Sequence, residues 1–315
     1  MIDGIINIYK EQDFTSRDAV SKLCGIIHQK KAGHTGTLDP MAEGVLPVCL
    51  GSATKLVDMF TDTTKQYRTV IKLGAATDTE DITGHTTMSS CYDDEWYDEL
   101  FDSGKFEDTV KGFIGDYSQV PPMYSAKKVN GKKLYEIARA GLVIEREPCL
   151  VHIYDIAIDS IDRFRREATL TVTCGKGTYI RTLCHDIGEK LGCFACMKEL
   201  IRTKTGIFTI ENAYKLSCVE DAVKAGRLNE LVVPVDAVFE GSRKLRVTNE
   251  EDEKHLLNGG LIKYSKDMAY ESRDTDPAID EKFLMYDSNC RFVALYRFDK
   301  KEHLLKAEKM FLPRS

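Results

Sequence analysis

Apolar and polar residues fall into several distinct rhythms along the chain. Residues 4–10 alternate with a period of two, Ile6, Ile8 and Lys10 against Ile5 and Asn7, and predict a short strand. Thr15 or Ser16 can cap a helix to about Gln29, with Val20, Leu23, Ile26 and Ile27 on one face. Residues 45–50 form an apolar run, which predicts a buried strand, and 53–61 predict a short helix. Residues 67–73 carry the β-branched content of a strand and lead to a polar turn at 78–81. The acidic stretch 93–114 reads as helical, and 117–125 is too proline-broken for an interior strand. A basic segment and a short helix near 135–140 follow.

The second half continues this mixed pattern. Residues 150–163 and 167–174 alternate around Arg165-Arg166, predicting an antiparallel hairpin. Ile180, Leu183, Ile187 and Leu191 place a helix over 178–191, with Gly192 as its stop. A last helix is expected over 218–230. From Lys244 the texture changes to short strands at 245–247, 283–286, 292–296 and 307–312, which suggests a small β-barrel interrupted by an acidic stretch at 267–281. Strands and helices do not alternate strictly. The expected class is therefore α+β, a mixed and mostly antiparallel sheet with flanking helices, plus the small C-terminal barrel.

Composition narrows the partners. The chain of 315 residues is 43% hydrophobic and 30% charged, which is ordinary for a globular protein. No apolar run approaches a membrane span, and the first residues are too short and too acidic for a signal peptide. Ten scattered cysteines without a secretory signal read as reduced thiols, and the expected location is the cytoplasm. Cys193 and Cys196 form a lone CxxC without a second ligand pair, so no metal is expected. The net charge of −6 is unevenly spread. Residues 92–108 hold eight acids against Lys105 alone. Residues 125–146 hold Lys127, Lys128, Lys132, Lys133, Arg139 and Arg146 against Glu136 and Glu145. A local basic segment can bind phosphates on an acidic chain, because salt screens charge beyond about 8–10 Å.

The densest turn chemistry lies at 33–44, Gly-His-Thr-Gly-Thr-Leu-Asp-Pro-Met-Ala-Glu-Gly. Glycine admits backbone angles that other residues avoid, and proline fixes its own φ. The segment presents one carboxylate, Asp39, from a rigid turn beside His34 and two threonines. This block, with Leu46-Pro47 after it, resembles the signature of the TruB family, the bacterial tRNA pseudouridine-55 synthases. The resemblance recurs, in order, at Gly51-Ser52-Ala53-Thr54-Lys55, Lys65-Gln66-Tyr67-Arg68 and Gly177-Thr178-Tyr179-Ile180-Arg181-Thr182-Leu183. It covers about residues 1–240 and, more loosely, the remainder.

The resemblance implies a catalytic domain over 1–240 with an RNA-binding insertion at about 122–148, and a PUA-like RNA-binding domain over 244–315. It implies isomerisation of uridine to pseudouridine at position 55 in the T-loop of tRNA, with the base flipped out of its stack. No cofactor is required, because the glycosidic bond only moves from N1 to C5 of the same base. By resemblance Asp39 is the catalytic carboxylate, Arg181 its cationic partner through a bidentate fork, and Tyr67 a ring that stacks on uracil or relays a proton. His34 would fill the space of the flipped base. Lys55 and Tyr179 would contact substrate or phosphate, and Leu200 would wall the uracil pocket. Whether Asp39 attacks C1′, attacks C6 or stabilises a cationic sugar stays open. The partner implied is the tRNA T-arm, with no membrane and no obligate protein partner, the chain acting as a monomer. Two rivals are an RNA-binding protein or tRNA chaperone without catalysis, which leaves the Asp39 turn unexplained, and a hydrolase with an aspartate nucleophile, which lacks a second acid in a comparable motif.

The basic segment generates a test. Replacing Lys127, Lys128, Lys132 and Lys133 by alanine is expected to weaken binding to all tRNAs alike, because lysines read phosphates without sequence preference. The slope of log K against log salt should flatten by up to about 0.7–0.9 for every phosphate that is no longer neutralised. A wild-type affinity and slope in filter-binding titrations would remove these lysines from the interface.

Overall fold

The structure is a computed structural model describing residues 2–125, 127–129, 131–268, 270 and 276–312; the side chains of Lys128, Lys133 and Arg139 lie outside that description. In chain order the strands are β1 (Gly4–Lys10), β2 (Ala32–His34), β3 (Glu43–Leu50), β4 (Lys65–Leu73), β5 (Ala75–Thr77), β6 (Thr86–Ser89), β7 (Gly115–Gln119), β8 (Lys128–Val129), β9 (Lys132–Lys133), β10 (Cys149–Asp162), β11 (Glu167–Cys174), β12 (Ala195–Thr205), β13 (Phe208–Thr209), β14 (Arg243–Arg246), β15 (Ile262–Lys263), β16 (Lys282–Tyr286), β17 (Phe292–Asp299) and β18 (Leu304–Met310). The α-helices are α1 (Ser16–Ile26), α2 (Val57–Thr61), α3 (Asp94–Asp102), α4 (Lys105–Lys111), α5 (Leu134–Arg139), α6 (Ile180–Leu191), α7 (Leu216–Lys224) and α8 (Glu250–Asn258).

One sheet carries the molecule. Its nine strands run β1-β3-β12-β4-β11-β10-β7, with β2 added to β3 and β13 to β12. Only the β3–β12 pair is parallel among these, so the sheet is mixed and mostly antiparallel, as the sequence implied. Ile71, Leu170, Val172 and Ile156 point to one face and pack on Ile180, Leu183, Ile187 and Leu191 of α6, the helical stripe legible in the sequence. Gly188 lets α6 lie directly on β12: a Cβ there would meet Ala195 N at 2.2 Å. Ala19 and Leu23 of α1, with Leu216 and Val219 of α7, cover Ile6, Ile8, Leu46 and Val48 at the other end of the sheet.

The C-terminal region forms a second sheet, β14-β16-β17-β18-β15, a curled half-barrel rather than a closed barrel. Its two edges approach where Arg243 Nη2 donates to the Tyr264 hydroxyl at 3.2 Å. This unit does not stand apart. Leu284, Tyr286, Leu295 and Phe311 share an apolar cluster with Ile5, Val45, Leu56 and Phe60 of the main body.

Several expectations change in detail. α1 stops at Ile26 because His28 turns left-handed at φ 54°, which frees the Gln29 amide to accept from Ile2 N at 2.7 Å and donate to Ile2 O at 2.9 Å. The helix expected over 53–61 is a 3-10 turn over Gly51–Leu56 followed by α2. The acidic stretch splits into α3 and α4 at Gly104, with φ 75°. Residues 115–119 do form a strand, but as the sheet edge that ends before Pro121, where proline is tolerated. No period in the sequence announces β12, although it lies at the sheet centre. Lys198, Glu199, Arg202 and Lys204 break its alternation, and bulges at 197/199 and 202/204 shift its register. α8 is equally silent in the sequence, because it buries Leu256 alone and has no apolar stripe to detect.

Burial of thiols sets a pH limit on this core. Burial pushes Cys49 and Cys184 up to about 12 and Cys174, Cys193 and Cys196 up to about 11. Each folded value lies above that of an unfolded thiol, so each contributes stability that is present below about pH 8.5 and lost as pH rises. Lys10, lowered to about 8 by its burial, and Lys65, lowered for the same reason, work in the opposite sense but are two groups against five. Urea midpoints should therefore fall steadily between about pH 9 and 11. A flat or rising midpoint over that range would contradict the account.

Candidate active site

The turn that carries Asp39 is pinned from beneath by Ser16, Asp13, Lys10 and Arg202. Leu38 N donates to Ser16 Oγ at 2.8 Å, and Ser16 Oγ donates back to Leu38 O at 3.1 Å. Asp13 N donates to Pro40 O at 3.0 Å. The buried Lys10 ammonium donates to Pro40 O, Phe14 O and Glu11 O at 3.1, 2.6 and 3.0 Å. Arg202, 1% exposed, donates from Nε to Val45 O at 2.7 Å and from Nη2 to Gly36 O at 3.2 Å. Gly44 closes the turn at φ 102°, where a Cβ would strike Arg202 O at 2.3 Å. So held, Leu38 enters the main core while the neighbouring Asp39 side chain stays 36% exposed.

Opposite the turn stands Arg181, the second residue of α6 and only 4% exposed. Its Nε lies 2.9 Å from Asp39 Oδ2, a charge contact rather than an aligned hydrogen bond. The two fork ends are used elsewhere: Nη1 donates to Thr79 O and Nη2 to Tyr124 O, both at 2.9 Å. A second carboxylate, Asp81, has Oδ2 3.7 Å from Nη1. The pairing of Arg181 with Asp39 thus forms, but not through the bidentate fork expected from sequence. The guanidinium is a junction of the Asp39 turn, the 78–84 turn, the root of the insertion and α6. The buried cation has two carboxylates beside it and hydrogen bonds from both Nη atoms to carbonyls, so its charge is compensated while Nε is held by charge contact alone.

Tyr67 stands on β4 and packs against the core beside this junction, its cross-strand partners being Val172 and Arg202. Burial raises its phenol, with the nearby Asp39 charge adding in the same sense and Arg202 opposing. The hydroxyl therefore stays protonated at neutral pH, which suits a donor and a stacking ring better than a base. His34 ends β2, and burial lowers its imidazole, so the ring is neutral. Its Nδ1 has no hydrogen-bond partner among the described residues.

The matching family domains span His34, Asp39, Tyr67, Asp81, Arg181 and Arg202. The TruB family pseudouridylate synthase N-terminal domain matches residues 25–180, and the tRNA pseudouridylate synthase B C-terminal domain matches residues 181–240. A relative from Lachnoclostridium phytofermentans named tRNA pseudouridine synthase B is 46% identical, covering 99% of this chain and all of its own. The chain belongs to the TruB family. A tRNA pseudouridine synthase B from Listeria monocytogenes is 41% identical over 98% of both chains. Among solved structures, the crystal structure of a Cbf5–Nop10–Gar1 complex matches with a TM-score of 0.69 at 24% identity, over 99% of this chain and 85% of that one, a likeness of fold.

The other residues singled out from sequence fall in different places. Lys55 donates to Met310 O at 2.6 Å, in the seam with the C-terminal half-barrel, rather than toward Asp39. Leu200 is buried against the core with Leu38 and Ala42, and with Met41, Glu43, Ile82 and Ile201 it lines a cleft of about 340 Å³. Asp39, Tyr67 and Arg181 do not line that cleft. Tyr179 caps the start of α6, its backbone bound by Gln119. Lys127 Nζ lies 2.6 Å from Cys149 Sγ, and Lys132 is exposed. Lys128 and Lys133 sit on the short β8–β9 pair, their side chains outside the described part. Sequence reasoning passes over Arg202, Asp81 and Lys10. Arg202 lies two residues past Leu200, which the resemblance singles out, and Asp81 ends a turn legible as polar, so both carry a signal. Lys10 gives none, because it counts in the alternation as one more inward position.

Proposed function

We propose that this chain isomerises uridine to pseudouridine at position 55 in the T-loop of tRNA, acting as a cytoplasmic monomer. The observation that carries the reading is the Arg181–Asp39 pair, 2.9 Å apart at the mouth of a rigid turn. The Asp39 carboxylate faces solvent on one side and a buried cation on the other. It is then available at the sugar or the base as nucleophile or as charge stabiliser. Relatives named tRNA pseudouridine synthase B, matched along nearly the whole chain, support the same activity and the same RNA.

The reaction breaks the N1–C1′ bond, turns the uracil and forms C5–C1′; one proton leaves C5 and one is taken up at N1, so the product is an isomer of the substrate. Asp39 supplies the anion and Arg181 orients it. Tyr67 offers a ring to the base and a hydroxyl to the sugar. His34, neutral and half-buried, takes the space of the extruded base. Residues 1–240 form the catalytic unit, the insertion at about 122–148 closes on the T-arm, and residues 244–315 add RNA contacts.

Asp39→Asn is isosteric and removes the charge. Turnover on unmodified tRNA, followed by mapping of pseudouridine, is expected to vanish while tRNA affinity stays within about threefold of wild type. Retention of a tenth or more of the wild-type rate would remove Asp39 from the chemistry. It would also favour an RNA-binding role without this catalytic centre.

A further inference from the structure

Gln119 is 1% exposed, at the last position of the edge strand β7. Its amide uses both ends on one residue. Nε2 donates to Tyr179 O at 3.0 Å, and Tyr179 N donates to Oε1 at 2.8 Å. That is the pattern of a β-bridge made by a side chain, and it is closed on the residue that begins α6. The N-cap residue itself makes no side-chain capping bond to this helix. Arg181 follows two residues later, and Tyr117, one strand period before Gln119, donates its hydroxyl to Asp186 farther along α6. β7 thus grips α6 at two points.

The same strand leads into the insertion. Beyond Pro121 and Pro122, Tyr124 O accepts from Arg181 Nη2 at 2.9 Å. The guanidinium is therefore held on one side through the backbone of the insertion root and on the other through the start of its own helix. Gln119 ties those two together. A shift of the helix start by a fraction of an ångström would move Nε off Asp39, and misplacement of that order is costly in an active site. We propose that Gln119 is a positioning residue that fixes Arg181 against Asp39 and couples that pair to the root of the insertion. The proposal rests on the catalytic role given to Asp39 and Arg181 above.

Gln119→Glu tests it, because a carboxylate keeps the shape and the acceptor but cannot donate to Tyr179 O, whereas a protonated carboxyl can. At about pH 8 the single-turnover rate of pseudouridine formation should fall about tenfold or more, with tRNA affinity within about threefold of wild type. A glutamate so buried titrates high, so the deficit should shrink to about threefold near pH 5.5. Glu80, His185, Asp186 and Tyr117 surround the same stretch of α6, so each rate is divided by that of wild type at the same pH. A Gln119→Glu rate within twofold of wild type at pH 8, or an equal deficit at both pH values, would overturn the proposal. Gln119→Met fills the space without either hydrogen bond and serves if the glutamate variant does not fold. It should lose about tenfold at every pH, and a wild-type rate in the folded methionine variant would overturn the proposal equally. Wild-type protein that forms no pseudouridine would instead overturn the activity itself, a failure visible before either variant is read.

Discussion

A single buried guanidinium organises this molecule. Arg181 is 4% exposed and meets four parts of the chain that are far apart in sequence: Asp39, Thr79 with Asp81, Tyr124, and its own helix α6. Removing a charge from water costs several kcal/mol unless its surroundings compensate it. The compensation here needs every one of those segments in place at once. The fold is the apparatus that brings them together. β4, β11 and β12 form the floor, α6 lies across it on Gly188, and the Asp39 turn closes from the β3 side.

Rigidity in the turn has its own source. Ser16, Asp13, Lys10 and Arg202 bind its backbone, and Lys10 does so from a site where burial lowers its ammonium to about 8. The protein holds two cations, Lys10 and Arg202, beneath a turn whose exposed product is an anion. Backbone carbonyls accept from both, while the Asp39 side chain stays open to solvent. The C-terminal half-barrel is less separate than its texture in the sequence suggests. Leu284, Leu295 and Phe311 complete a core begun by Ile5 and Val45, and Lys55 crosses the seam to Met310.

What can be read from the sequence follows from how each feature is encoded. α6 shows its buried face at helical spacing, β11 alternates throughout and β10 does so between two bulges, and the Asp39 turn is written in glycine and proline. The Asp39–Arg181 pairing comes from a resemblance to the family, since nothing in spacing alone brings residues 39 and 181 together. β12 is illegible because a central strand with two bulges and several charged positions satisfies neither period. The Arg181 fork is misassigned from sequence because its partners are main-chain carbonyls at Thr79 and Tyr124, which any residue type could supply. Lys55 sits in a matched motif and its ammonium donates across the seam to Met310 O, a contact only tertiary packing reveals.

The central claim is that Asp39 and Arg181 act as one unit. It is tested most directly by a double-mutant cycle on the single-turnover rate of pseudouridine formation, with Asp39→Glu, Arg181→Lys and the pair. If the two residues act through one contact, the double variant should be little slower than the slower single variant, far from the product of the two losses. Losses that multiply, each residue costing the same whether or not the other is intact, would contradict the account.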